Sequence, residues 1–127
     1  MTEKKPVQTQ KAPKAIGPYS QGLSVSNTLY MSGQLGIDPA TGKLVEGSTA
    51  EQARQAIKNV EAILQEAQFC LADVVQVQVL LTDIKDFNEV NQVYKQYFSQ
   101  PYPARAAYQV AALPADGKVE ILAVAVK

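Results

Sequence analysis

The chain has 127 residues, enough for one hydrophobic core and too few for two comfortable ones, so it reads as a single domain over 1–127. Its 12 basic and 12 acidic side chains cancel, and no apolar run approaches the ~20 residues of a membrane-spanning helix, which disfavours nucleic acid as the main partner and any membrane anchor. One cysteine and no histidine exclude an intrachain disulfide, an ordinary zinc site and any imidazole triad, leaving Arg, Glu, Tyr, Ser and backbone groups for chemistry.

At the N-terminus "EKK" reads as a mobile start, and no apolar stretch of the kind a signal peptide carries follows it, which points to the cytoplasm. "AIGPYSQG", residues 15–22, reads as a loop stiffened by Gly17 and Pro18 that presents Tyr19 either to a site or over a domain edge. "LYMSGQL", residues 29–35, alternates Leu29, Met31, Gly33 and Leu35 against Tyr30, Ser32 and Gln34, as a half-buried strand does. Ser32 and Gly33 offer a hydroxyl and an accessible N–H, better suited to hydrogen bonding than to nucleophilic attack. "DPATG", residues 38–42, turns the chain.

Ser48 and Glu51 have the spacing of a capping box, and Ala53, Ala56, Ile57, Val60, Ile63, Leu64 and Ala67 recur at threes and fours, predicting a helix. Cys70, next to Phe69, reads as a small buried hydrophobe. "DVVQVQVLL", residues 73–81, sets Val75, Val77, Val79 and Leu81 against Gln76, Gln78 and Leu80. Asp86 is placed to cap a second helix in which Phe87, Val90, Asn91, Tyr94, Tyr97 and Phe98 share a face, and Pro101 and Pro103 end it. Two further strands, about 105–112 and 119–126, flank "LPADGK". The order predicts an α+β fold, one mixed sheet with two helices on one face.

If each strand keeps its pleat, the other face carries Ser32, Gln34, Gln76, Gln78, Arg105, Ala107, Gln109, Glu120, Leu122, Val124 and Val126. Its apolar part is larger than a soluble monomer ordinarily leaves uncovered, which predicts self-association through the sheet. On that face Arg105, fixed by the preceding prolines, is suited to clamp a carboxylate through paired N–H bonds, or is a surface arginine paired with an acid. Glu120 lies among apolar neighbours, where partial desolvation suits it to act as acid and base by turns; it also reads as one half of an interfacial ion pair. In a simple hairpin of the last two strands these residues would lie roughly 20 Å apart. Either another strand intervenes, or the two meet across a subunit boundary.

The stretches "APKAIGPYSQG", "MSGQLGIDPATGKLV", "DFNEVNQVYKQYF", "YPARAAYQVAALP" and "VEILAVAV", in that order and spacing, are similar to the RidA/YjgF family of reactive-intermediate deaminases, across nearly the whole chain. The resemblance implies a chorismate-mutase-like fold and a homotrimer with its sheets packed inward and a ligand cleft at each subunit interface. It further implies hydrolysis of 2-aminoacrylate and 2-iminopropanoate to the 2-keto acid and ammonia, with no cofactor and no metal. On this chain Arg105 matches the carboxylate-binding arginine, Glu120 the water-positioning acid and Tyr19 the tyrosine over the cleft. Ser32, Gly33 and Asn91 match ligand-contacting residues, and Ala107 stands where a cysteine is common. Leu122 replaces a second acid of "VEIE", and Gln68 replaces a glycine that closes the first helix. The same resemblance admits a non-catalytic protein that binds 2-keto acids in that cleft and, more distantly, a ribonuclease or translation inhibitor.

Overall fold

The apolar repeat after Ser48 forms helix α1, Thr49–Glu66, in the computed structural model, which describes residues 3–127. Its inward residues Ala53, Ala56, Ile57, Val60, Ile63 and Leu64 are fully buried, so the helix is held chiefly by its apolar stripe. The Ser48 hydroxyl accepts from the Glu51 N–H at 3.4 Å. The second helix, α2, Phe87–Tyr97, completes that cap from outside: Thr49 Oγ1 donates to the Asp86 carboxylate at 2.6 Å, and the Ala50 N–H donates to Glu89 at 2.9 Å. Asp86 thus serves the first helix, where the sequence suggested a side-chain cap for the second.

Both helices cover one face of a six-stranded sheet. Its strands are β1, Lys4–Val7; β2, Gly22–Val25; β3, Thr28–Leu35; β6, Val74–Leu81; β7, Ala104–Gln109; and β8, Val119–Val126. Two short strands, β4, Ile37–Asp38, and β5, Lys43–Leu44, pair around the predicted turn. The spatial order is β1-β2-β3-β8-β6-β7. All neighbours in it are antiparallel except β6 and β7, which run parallel. Leu29, Val77, Val79, Leu81, Val119, Ile121, Ala123 and Ala125 line the helix-facing side. This is the expected α+β architecture.

Several local expectations are overturned. "EKK" does not start the chain as a mobile tail, because Lys4 and Lys5 begin an edge strand in register with Val25 and Ser24. A short, lysine-bearing edge strand with Pro6 in it has no alternation to read; the ladder to β2 makes it. Cys70 is exposed, and Phe69 takes the buried place beside it. The strand expected over 105–112 ends at Gln109.

Two bulges change the pleat. On β3, Met31 lies opposite Ala123 and Gln34 opposite Ile121, so three steps on one strand match two on the other. Gln34, expected on the open face, therefore turns under the helices and is 4% exposed. On β6, Val74 pairs with Ala125 and Gln76 with Val124; the extra residue, Val75, expected inside, is turned outward. Glycine is required where β3 ends, because a Cβ on Gly36 would lie 2.6 Å from the backbone of Gln52 in α1. The Asn59 amide secures the same junction, donating to the carbonyls of Leu35 and Ile37 at 3.1 and 2.9 Å.

Candidate active site

Arg105 lies on the helix-facing side of the sheet. It pairs in parallel register with Val77, which is fully buried, and side-by-side residues of a parallel ladder point to the same face. Ala107 and Gln109 follow it, opposite Val79 and Leu81, while Ala104, Ala106 and Tyr108 take the open face. The sequence expectation for Arg105, Ala107 and Gln109 is thereby corrected. It assumed a pleat phase that the pairing with β6 does not keep.

At this edge the arginine is seated on α2. Its Nη1 donates to Asn91 Oδ1 at 2.8 Å, and its guanidinium carbon stands 4.7 Å from the ring centroid of Tyr94 and 5.3 Å from that of Phe87. Cation–π contact and a neutral acceptor hold the group without cancelling its charge. A cleft of about 280 Å³ opens here, lined by Asn91, Tyr94, Lys95, Tyr102, Pro103 and Arg105. The Tyr94 ring is stacked on Phe98 at 4.4 Å, and its hydroxyl is buried with no hydrogen-bond partner. Burial pushes the Tyr94 phenol up, against a downward pull from Arg105 and with a smaller push from Tyr102.

Glu120 occupies the opposite face. Across the strands its neighbours are Leu35 and Leu80, and along β8 the next residue on its side is Leu122. This apolar setting removes water from the carboxyl and raises its pKa above the ordinary glutamate value. Among the described residues Arg54–Glu51 is the one ion pair, so no described residue neutralises Glu120. Its carboxyl lies against Gly33, where a Cβ would come within 2.8 Å of the Glu120 Cδ.

Ser32, the neighbour of Gly33 on β3, is joined to the loop that carries Tyr19. Ser32 Oγ donates to the Ser20 carbonyl at 2.6 Å, and the Ser32 N–H donates to Gln21 at 2.9 Å, which ties the Tyr19 loop to β3. The Tyr19 N–H closes a turn onto Gly17, whose φ of +123° suits glycine, and Tyr19 is half exposed. The Gln21 amide, buried, bonds the carbonyls of Thr9, Ala12 and Pro13 and holds the preceding arm. The sequence reading missed Gln21, since nothing local marks a glutamine as a tie.

The structure therefore sorts the candidate residues into two groups. Arg105, Asn91 and Ala107 share the edge beside α2; Glu120 and Gly33 meet on the open face of the central strands β8 and β3, where Ser32 ties in the loop that carries Tyr19. Within one chain β6 stands between β7 and β8, and Arg105 and Glu120 are level with Val77 and Leu80 of that strand. Two strand spacings and three residues of rise put their Cα atoms about 14 Å apart, on opposite faces. The site candidates of the sequence reading left out Tyr102 and Pro103 of the lining and, on α2, the lining residues Tyr94 and Lys95 with Phe87 against the guanidinium. The spacing of these α2 residues from Asn91 marks one side of a helix, but the aromatic pair reads as core until β7 is placed beside it.

Among the described residues no three His, Cys, Asp or Glu groups cluster, and no helix is long and apolar enough to cross a membrane. Residues 9–127 match the family model described as Endoribonuclease L-PSP. A 2-iminobutanoate/2-iminopropanoate deaminase of Bos taurus is 58% identical over 98% of this chain and 90% of its own length. The crystal structure of RidA from an Antarctic Psychrobacter superposes with a TM-score of 0.93 at 50% identity, covering 97% of this chain and 99% of that one. Escherichia coli TdcF, solved with bound serine, gives 0.92 at 42% identity, covering 97% and 98%.

Proposed function

The chain belongs to the Endoribonuclease L-PSP family, which includes its Rid/YjgF relatives, and from that premise we propose that it is a cytoplasmic imine deaminase. Its substrates are 2-aminoacrylate and 2-iminopropanoate-type intermediates, hydrolysed to the 2-keto acid and ammonia. The observation that carries this reading is the Arg105 guanidinium, oriented by Asn91 and two aromatic rings in a cleft whose lining includes no acid. One N–H is taken by Asn91, and the others remain for a ligand carboxylate.

Assembly completes the site. The uncovered sheet face bears half-buried Leu80, Leu122 and Val124 with exposed Tyr30, Tyr108 and Val126, an apolar surface suited to burial between copies. A homotrimer packed through it brings Glu120, Gly33, Ser32 and Tyr19 of one subunit to the Arg105 cleft of the next. Glu120 takes a proton from water as the oxygen adds to the imine carbon and passes it to the nitrogen, giving a 2-amino-2-hydroxy acid; it then takes the hydroxyl proton and delivers it to the same nitrogen as the C=O bond forms and the C–N bond breaks. The imine and water leave as a keto acid and ammonia, so neither electrons nor a cofactor are required. Positioning an electrophilic imine against fixed water supplies up to ~7–11 kcal/mol of barrier reduction.

A second reading, a 2-keto acid sensor without turnover, is favoured by one observation: the carboxylate-gripping cleft is formed by one chain, without Glu120. A coupled assay separates the two. A threonine or serine dehydratase is supplied, and 2-keto acid release is followed with wild type, with Arg105→Ala and without protein. Acceleration by wild type alone supports the deaminase. No acceleration, with binding of a 2-keto acid that is lost in Arg105→Ala, leaves the sensor. The balanced charge of the chain counts against the ribonuclease reading.

A further inference from the structure

Asn91 and Lys95 stand four residues apart on α2, so they share one side of the helix a single turn apart. Asn91 holds Arg105, and Lys95 lines the same cleft. The acids of this helix and its cap point elsewhere: Asp86 and Glu89 are engaged by Thr49 and Ala50 of α1. No lining residue is a carboxylate, and the one ion pair among the described residues, Arg54–Glu51, involves neither cation. Two positive groups thus share a wall without a counter-charge among the described residues of the chain, and Asn91, which holds the guanidinium, and Lys95 are four residues, about 6 Å, apart along the helix axis. That is the order of separation between the carboxylates of a four- or five-carbon diacid.

We infer that, beside the small monoacids, the cleft takes 2-imino and 2-keto acids carrying a second carboxylate at the side-chain end, with Lys95 as the residue that favours them. The inference rests on the deaminase or keto acid-binding reading above and names the substrate class of that site. Arg105 grips the 1-carboxylate beside the reacting carbon, and Lys95 meets the distal one. A monocarboxylate of equal chain length leaves Lys95 solvated and gains nothing from it.

Calorimetric titration of the intact protein with 2-oxopentanedioate and 2-oxopentanoate tests this, because the two ligands differ only in a terminal carboxylate against a methyl group. Wild type is expected to bind the diacid about fivefold more tightly at low salt. Lys95→Gln, a change at an exposed helix position, weakens the diacid selectively and so abolishes that preference; added salt narrows the preference in wild type only. Equal affinities in wild type, a preference that survives Lys95→Gln, or equal weakening of both ligands overturns the role of Lys95 while the proposed function stands. Failure of both acids to bind, or binding indifferent to Arg105→Gln, overturns the cleft assignment itself.

Discussion

Replacing Gly33 by alanine tests how closely the position of the Glu120 carboxyl matters. The added Cβ would lie 2.8, 2.9 and 3.0 Å from the Cδ, Oε2 and Cγ of Glu120. Carbon atoms in contact sit about 3.5–4.0 Å apart, so the carboxyl must retreat by at least about 0.7 Å. The obstacle is the far part of a flexible side chain, and Gly33 does not occupy the left-handed region, so the strand accepts alanine. Stability should change by less than about 1 kcal/mol. Catalysis should suffer more, because a misplacement on the order of 1 Å costs about 100-fold; we expect kcat to fall roughly 10- to 100-fold with KM little changed. Measuring kcat, KM and Tm in the dehydratase-coupled assay decides it. Full kcat in Gly33→Ala would refute the idea that the placement of this carboxyl limits the reaction.

Glu120→Gln separates the electrostatic cost of the carboxyl from its use. Burial raises the Glu120 pKa above its ordinary value of 4.5, so its contribution to stability is fully present below that value and is lost as pH rises through the folded-state pKa. The variant should therefore gain Tm on wild type between acid and neutral pH, while losing activity; a constant Tm difference across that range would contradict the desolvation argument. The acid limb of the wild-type rate profile should lie above the ordinary carboxylate range and vanish in the variant. Tyr94→Phe removes a buried hydroxyl without a partner, whose unmet hydrogen bond costs about 1–3 kcal/mol, so Tm should rise, and a clear fall in calorimetry would mean the hydroxyl is bonded. Gln68 closes α1 with φ +66°, where a side chain is strained; Gln68→Gly should stabilise by about 0.5–1 kcal/mol in urea unfolding, and a loss would show that the contacts of Gln68 outweigh its backbone.

Much of the fold could be read locally. The helix after Ser48 needed only apolar residues at threes and fours and a cap, and the strand of Val119–Val126 needed only its pattern, because a stripe that must be buried dictates its own periodicity. The identities of the candidate site residues were also legible, since the resemblance rests on motifs such as "YPARAAYQVAALP" and "VEILAVAV". Directions were not. Whether Arg105 faces the helices or the open sheet depends on its pairing with Val77, and the side taken by Gln34 depends on a bulge opposite Ile121 and Ala123. Each is a long-range contact, and a single step of register turns every side chain beyond it to the other face. The sequence by itself determined which groups the molecule has for chemistry and which segments become helix or strand. Only the tertiary structure decided that β6 would stand between the two candidate catalytic residues, because strand order and bulges are settled by pairing between distant segments, which leaves no periodic trace in either one.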